Sequence, residues 1–253
     1  MSKISTIIKI IKAYKDWPRY FGVYLGVTRK ERFIFRTRNG LRFWLRRSND
    51  DLARIGEIFH LHEYDPKFLK IPKGGTVIDI GAHMGFFSIY ASHKGAARVI
   101  SFEPMPDNFE MLSKHIALNS KTNIGPHQLA VAAKPGNRTF YVSKNSGFGS
   151  LFRKTDQELH VKCTTLSQVF KDHKILHCDL LKMDCEGAEY EILYASQALL
   201  PKIKTIILEY HDGTRFDAPN DRIMDLQKFL DKNGFTTKRV AHPNQVGMLY
   251  AWR

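Results

Sequence analysis

The chain has 253 residues, with 39 Lys+Arg against 25 Asp+Glu and 43% apolar residues, a composition that supports one substantial core and excludes an intrinsically disordered chain. The formal net charge of +14 is unevenly placed: residues 1 to 54 hold fourteen Lys/Arg and four acids, a local +10, and the other 199 residues carry only +4. Three cysteines, Cys163, Cys178 and Cys185, with no CxxC pair, argue against a disulfide framework or a zinc ribbon, so a reducing, cytoplasmic location is expected.

In chain order, Ile4, Ile7, Ile8, Ile11 and Tyr14 recur at helical spacing, with Lys3, Lys9, Lys12 and Lys15 largely on other sides, before Pro18 closes the segment. The lysines interrupt every apolar run, so neither a signal-peptide core nor a membrane span fits, and no later window approaches the roughly 20 apolar residues a span requires. The expected arrangement is a basic amphipathic helix folded back on its own domain with a solvated lysine face. Peripheral membrane association through residues 1–18 is the alternative. Residues 32–47 read as a hairpin, RFIFRTR and LRFWLRR around Asn39-Gly40. Phe33 and Phe35 alternate there with Arg32, Arg36 and Arg38, which one packed and one wet face explain without invoking nucleic acid. Residues 1–54 are thus expected as a basic helix and hairpin extension, and 55–253 as the main domain.

From Thr76 onward, apolar runs of strand length alternate with helical patterns, which indicates an α/β architecture with a largely parallel sheet. Strands are expected at Val77–Gly81, Arg98–Glu103, about His127–Val131, Asp179–Asp184 and Thr205–His211. Helices are expected from near Gly85, after a cap at Asp107, from about Ala188, and from Asp221 to Lys232. TFYVSKNSGFGSLF reads as an inserted hairpin or loop. FTTKRV and VGMLYAW lack a clear helix between them, which implies an antiparallel ending.

Asp79-Ile80-Gly81-Ala82-His83-Met84-Gly85 places glycines at a strand-to-helix turn, where a ligand can approach the backbone and the helix N-terminus favours negative charge. A dinucleotide fingerprint would want a second glycine where His83 stands, and Asp79 would set a carboxylate beside a pyrophosphate. S-adenosylmethionine has no phosphate and carries an ammonium and a sulfonium, so a strand-end acid suits it. Glu103, ending the second strand, can accept both ribose hydroxyls.

VIDIGAHMGFFS, VISFEP, LLKMDCEGAEYEIL and LEYH together resemble the class I methyltransferases, and more closely the FkbM family, over most of the chain from about Asn49. The resemblance implies a Rossmann-like, seven-stranded, mostly parallel sheet with an antiparallel last strand. It also implies S-adenosylmethionine as methyl donor and O-methylation of a sugar, glycan or sugar-bearing natural product. By position, Asp79, Gly81, Ala82, His83, Gly85 and Glu103 would line the cofactor. His83 departs from the Asn often found there. Ser167, where an Asp is common, reads as a lost helix-cap partner.

In an open α/β sheet the ligand crevice lies beyond the carboxyl ends of the strands where strand order reverses, so the first, fourth and fifth strands should supply the chemistry. Those ends carry Lys182, Asp184, Glu186 and Glu189, then Glu209 and His211. Asp184 or His211 could remove the hydroxyl proton, or Asp184 and Glu209 could hold a divalent cation while Lys182 or His211 collects it. The structural alternative pairs Lys182 with Asp184 or Glu209 and leaves Glu186 shaping a turn. Cys185 reads as a small buried residue, since transfer from a sulfonium needs no thiol. The expected partner is a small-molecule or glycan acceptor; DCEG is unlike the Pro-Pro-aromatic arrangement of amino-group methyltransferases of nucleic acid. Competing readings are a nucleic-acid methyltransferase using the basic segment, a nicotinamide-dependent oxidoreductase, and a non-catalytic scaffold.

Overall fold

Two helices, α1 (Lys3–Ala13) and α2 (Trp17–Tyr24), precede a hairpin of β1 (Arg32–Arg36) and β2 (Arg42–Arg46), which α3 (Asn49–Phe59) follows. There follow β3 (Thr76–Ile80), α4 (Phe86–His93), β4 (Arg98–Phe102), α5 (Pro106–Leu118), β5 (Ile124–His127), β6 (Ala130–Val131), β7 (Gly136–Val142), β8 (Gly149–Ser150) and β9 (Gln157–Thr164). The chain ends with α6 (Leu166–Asp172), β10 (Leu180–Met183), α7 (Glu189–Ala195), β11 (Thr205–His211), α8 (Arg222–Lys232), β12 (Thr236–Ala241) and β13 (Val246–Trp252). This computed structural model describes residues 3–47, 49–142, 149–150, 157–211, 222–242 and 246–253.

The central sheet has seven strands in the order β12-β13-β11-β10-β3-β4-β5. Only β13 runs antiparallel to its neighbours, as the helix-free ending predicts. Chain order reverses between β3 and β10, which opens a crevice beyond their carboxyl ends. The third strand differs from expectation: it ends at His127, and Ala130–Val131 leaves to pair with β9 in a second sheet. Pro126, which has no N–H to donate, sits in β5 because that strand is at the sheet edge. The inserted stretch forms a sheet ordered β6-β9-β7-β8 with β7 antiparallel to β9; its residues 143–148 and 151–152 lie outside the described residues.

Strand alternation sorts the core into two layers. Val77, Val99, Leu180 and Ile207 face one side of the sheet, and Ile78, Ile100, Leu181 and Ile206 the other. The first layer also contains Tyr14, Phe35, Phe43, Leu45 and Ile55, so the N-terminal elements cover that side. Phe43 meets the rings of Phe59, Phe86 and His115 at centroid distances of 5.2 to 5.5 Å. Ion pairs fix the covering elements: Arg36 to Asp16 and Arg46 to the buried Asp51, each at 2.7 Å.

The first helix folds back on the domain, but rotated from the expected orientation. Ile10 is buried and Lys9 half-buried, whereas Ile4, Ile7 and Ile8 are 71%, 43% and 46% exposed. Its C-terminal end sets the rotation: Tyr14 is fully buried, Arg38 N–H donates to Ala13 O, and Arg38 Nε donates to Ile11 O. Two capping expectations also change. Met105 is the N-cap of α5, with Pro106 next and Asp107 inside the first turn, where its charge still favours the helix N-terminus. Thr165 caps α6 by accepting Gln168 N–H at 3.1 Å, so Ser167 leaves no cap missing.

Because the hairpin shares the core of the sheet, Phe43→Ala should lower stability by about 3–5 kcal/mol. Urea unfolding should still show one transition; an early separate one would mean that residues 1–54 unfold alone.

Candidate active site

Sheet register makes Asp79 the neighbour of Lys182 on one side and of Ser101 on the other. Lys182 Nζ lies 3.0 Å from Asp79 Oδ1 and donates to Gly81 O at 2.6 Å. Ser88, reaching down from α4, donates to Asp79 Oδ2 at 2.5 Å and meets Ser101 Oγ at 2.7 Å. All four side chains are buried. Burial pulls the Lys182 ammonium pKa down, but Asp79 and Asp184 outweigh it and hold the group above its ordinary value. Lys182 therefore stays charged, and the pair clamps the turn after β3 from beneath.

Gly81 has φ +74, and a Cβ there would stand 1.8 Å from Asp184 O. Glycine is thus demanded by the chain leaving β10, independently of any ligand. The turn continues through His83, at φ 51, whose N–H donates to Glu103 Oε2 at 2.7 Å. Met105 N–H donates to Glu103 Oε1 at 2.9 Å, and the Asn108 side chain adds a further bond. Burial pushes the Glu103 carboxyl up to about 7 against these donors. The His83 imidazole is pushed down to about 3, first by burial and then by the charges of Arg54 and Arg46, so it is neutral.

A cleft of about 630 Å³, counted to its open mouth, lies over this turn. Gly81, His83, Glu103 and Asn108 form its wall toward β4; Asp184, Glu186 and Arg54 form it toward β10; Leu129, Val131 and Phe140 add apolar surface. Arg54 comes from α3, whose first turn is tied to β2 by the Asp51–Arg46 pair. Its guanidinium nitrogens lie 3.4 Å from Glu209, 3.5 Å from Glu57, 3.7 Å from Asp184 and 3.8 Å from Glu186. Burial lowers its pKa, but these four carboxylates more than compensate. One cation among four acids leaves negative charge in excess. Accordingly, burial and then Asp184 push Glu209 well above the carboxylate range, and burial brings Glu57 and Glu63 to about 7.

The residues singled out from sequence take different places around the cleft. His83, Gly81, Glu103, Asp184 and Glu186 stand on the cleft wall. Asp79 and Lys182 pair with each other beneath it, whereas the structural alternative read from sequence paired Lys182 with Asp184 or Glu209; cross-strand register decides this. Ala82 is buried with its N–H on Phe102 O, and Gly85 is the left-handed N-cap of α4. Glu209 meets Arg54, while His211 pairs through its backbone with Val246 and its side chain lies outside the described residues. Glu189 accepts Cys185 N–H and Gly187 N–H and so shapes the turn; burial, then Glu189, push the Cys185 thiol pKa well up, which keeps it inert. The divalent cation that is one alternative for Asp184 and Glu209 does not fit, because a fixed guanidinium already stands 3.7 and 3.4 Å from them. Among the described residues no three His, Cys, Asp or Glu side chains are grouped to hold a metal ion. Sequence reading missed Arg54, Glu57, Asn108 and Phe140. The helical spacing of Leu52, Ile55 and Phe59 was available as a signal for α3, but not the direction in which Arg54 points.

Comparison with known proteins gives a match of residues 79–236 to a model of the methyltransferase FkbM domain. Methyltransferase sdnD of Sordaria araneosa is 26% identical over 78% of this chain and 88% of its own length. Hexuronic acid methyltransferase AglP of Haloferax volcanii is 23% identical over 82% of this chain and 84% of its own. The 31-O-demethyl-FK506 methyltransferase FkbM of Streptomyces tacrolimicus is 28% identical over 62% and 73%. The crystal structure of a methyltransferase FkbM from Methylobacillus flagellatus KT superposes with a TM-score of 0.50 at 15% identity, over 70% of this chain and 43% of that one; this likeness concerns the fold alone.

Removing the central cation tests the electrostatics. Arg54→Ala should lose about 3–5 kcal/mol at pH 8, where the four acids repel one another unopposed. Glu57 and Glu209 have folded pKa values above their unfolded ones, so their strain is present above those values and relieved as pH falls through them. The deficit measured by urea unfolding should therefore shrink at pH 6.

Proposed function

We propose, for a chain that belongs to the FkbM family of S-adenosylmethionine-dependent methyltransferases, that the group methylated is a hydroxyl of a sugar, a glycan or a sugar-bearing natural product. The observation that carries this reading is Asp184, on the cleft wall at the switch point, held with Glu209, Glu57 and Glu186 around Arg54. Carboxylates arranged in this way accept hydrogen bonds from several hydroxyls of a polyol. Two of the relatives are named for a hexuronic acid and for a 31-O-demethyl position, which supports a hydroxylated acceptor.

The cleft suits S-adenosylmethionine. Glu103 is a buried carboxylate whose pKa of about 7 reports incomplete compensation by its own donors, so two ribose hydroxyls would complete its shell. Leu129, Val131 and Phe140 offer apolar surface to an adenine ring. When bound, the cofactor supplies a methyl group on a sulfonium, which leaves as a neutral thioether.

The protein's part is positioning and proton removal. The excess acid around Arg54 favours a cationic centre at that end of the cleft. Asp184, on the same wall, is placed to accept the hydroxyl proton as the oxygen becomes a nucleophile. Burial and the neighbouring Asp184 push the Glu209 carboxyl well up, so it competes less with Asp184 for Arg54. Lys182 is committed to Asp79 and Gly81 O and takes no proton from the acceptor. The basic segment gives little support to a nucleic-acid acceptor: Arg36, Arg46 and Arg54 are engaged with acids of this chain, and an acidic cleft repels phosphates.

Asp184→Asn should reduce kcat by at least about a hundredfold while leaving the cofactor dissociation constant within a few-fold. Undiminished turnover would remove Asp184 as the base. Because the hydroxyl-accepting form of Glu103 is the carboxylate, cofactor affinity measured by calorimetry should fall about tenfold from pH 8 to pH 6. Glu103→Gln should bind weakly and without that slope.

A further inference from the structure

The orientation of α1 is opposite to that of an ordinary amphipathic helix. At 100° per residue, Ile4, Ile7, Ile8 and Ile11 form one stripe. The side toward the protein is instead made by Ser5, Thr6, Lys9, Ile10 and Ala13, all half-buried or buried. Burial, and then the Lys9 charge, depress the His60 imidazole, which places Lys9 on the inner side. Ile4 is 71% exposed and Ile7 and Ile8 are 43% and 46% exposed, with the exposed Lys3 and Lys12 at the two borders of the stripe. A second exposed apolar stretch, Tyr24, Leu25 and Val27, is followed by the exposed Arg29 and Lys30.

We propose that α1 seats this protein on an anionic bilayer surface, lying in the plane of the interface with Ile4, Ile7 and Ile8 in the acyl boundary and Lys3 and Lys12 among the headgroups. An apolar stripe bordered by lysines is the arrangement that such helices use, because the long side chains carry their charge outward while their stems stay apolar. Charge selects the occupant. A second copy would bring together two segments of +10 each, whereas an anionic surface strengthens binding about fivefold for each basic side chain near it. Area argues the same way, since a few isoleucines fall far short of the roughly 1,200 Å² of a stable protein interface but suffice as a wedge assisted by charge. The binding mode is independent of the identity of the acceptor.

Flotation of the full chain with vesicles tests this directly. Vesicles of phosphatidylcholine with about 30% phosphatidylglycerol should carry the protein at low salt, with binding at least about tenfold weaker to phosphatidylcholine alone or in about 0.5 M salt. The double variant I4S/I8S changes two exposed side chains, so its melting temperature should be unchanged while its binding to anionic vesicles falls about tenfold or more. Absent binding, equal binding to both lipids, or full binding by the variant would overturn the proposal. So would a loss of self-association in the variant, seen by light scattering, without a change in flotation.

Discussion

The Lys182 ammonium is the interaction on which the site depends. It bonds a carboxylate on the neighbouring strand and the carbonyl of Gly81, and so ties β10 to the turn that follows β3. With that turn fixed, Gly81 rests on Asp184 O, the His83 N–H points at Glu103, and both walls of the cleft are set by one buried pair. Isolated, either charge would be costly in so dry a place; together they compensate one another, with Ser88 donating to the remaining carboxylate oxygen. Two acids that look alike in sequence thereby take different duties: Asp79 holds the scaffold, and Glu103 presents itself to the cleft.

The second constraint is the parity of the strands. Asp79, Lys182, Ser101, Glu103, Asp184 and Glu209 share the face of Val77, Leu180, Val99 and Ile207, which is the face covered by the N-terminal helices and hairpin. The basic segment is therefore no detached appendage. Arg46 locks α3 through Asp51, and α3 delivers Arg54 to the carboxylates. Of the basic residues in this segment, Arg36, Arg46 and Arg54 are engaged with acids of this chain, while Lys3 and Lys12 stand exposed on α1.

Much of this was legible in the sequence, and the limits have physical causes. Apolar runs of strand length, spaced by helical patterns, locate β3, β4, β10 and β11, because burial on both faces writes itself locally, but not the edge strand β5, which lies a few residues before the expected position. Glu103 is visible as the acid ending a buried strand beside a glycine turn. The partner of Lys182 is not visible, since period 2 gives the face of a residue but not which strand lies alongside; β3, a hundred positions earlier, supplies Asp79. Arg54 is hidden for a similar reason: its direction depends on how the hairpin holds α3. The rotation of α1 escapes sequence because amphipathicity predicts that the apolar side turns inward, whereas here Tyr14 and the Arg38 bonds at one end decide it. His83, at φ 51, occupies a left-handed position that Asn tolerates well, consistent with the Asn of the family pattern.

A crystal structure of the complex with S-adenosylhomocysteine puts the central claim to its most direct test. Both ribose hydroxyls should lie within hydrogen-bonding distance of Glu103, with the sulfur turned toward Asp184 and Arg54. A ribose bound away from Glu103, or a sulfur facing the opposite side of the cleft, would contradict the division of labour between the two walls.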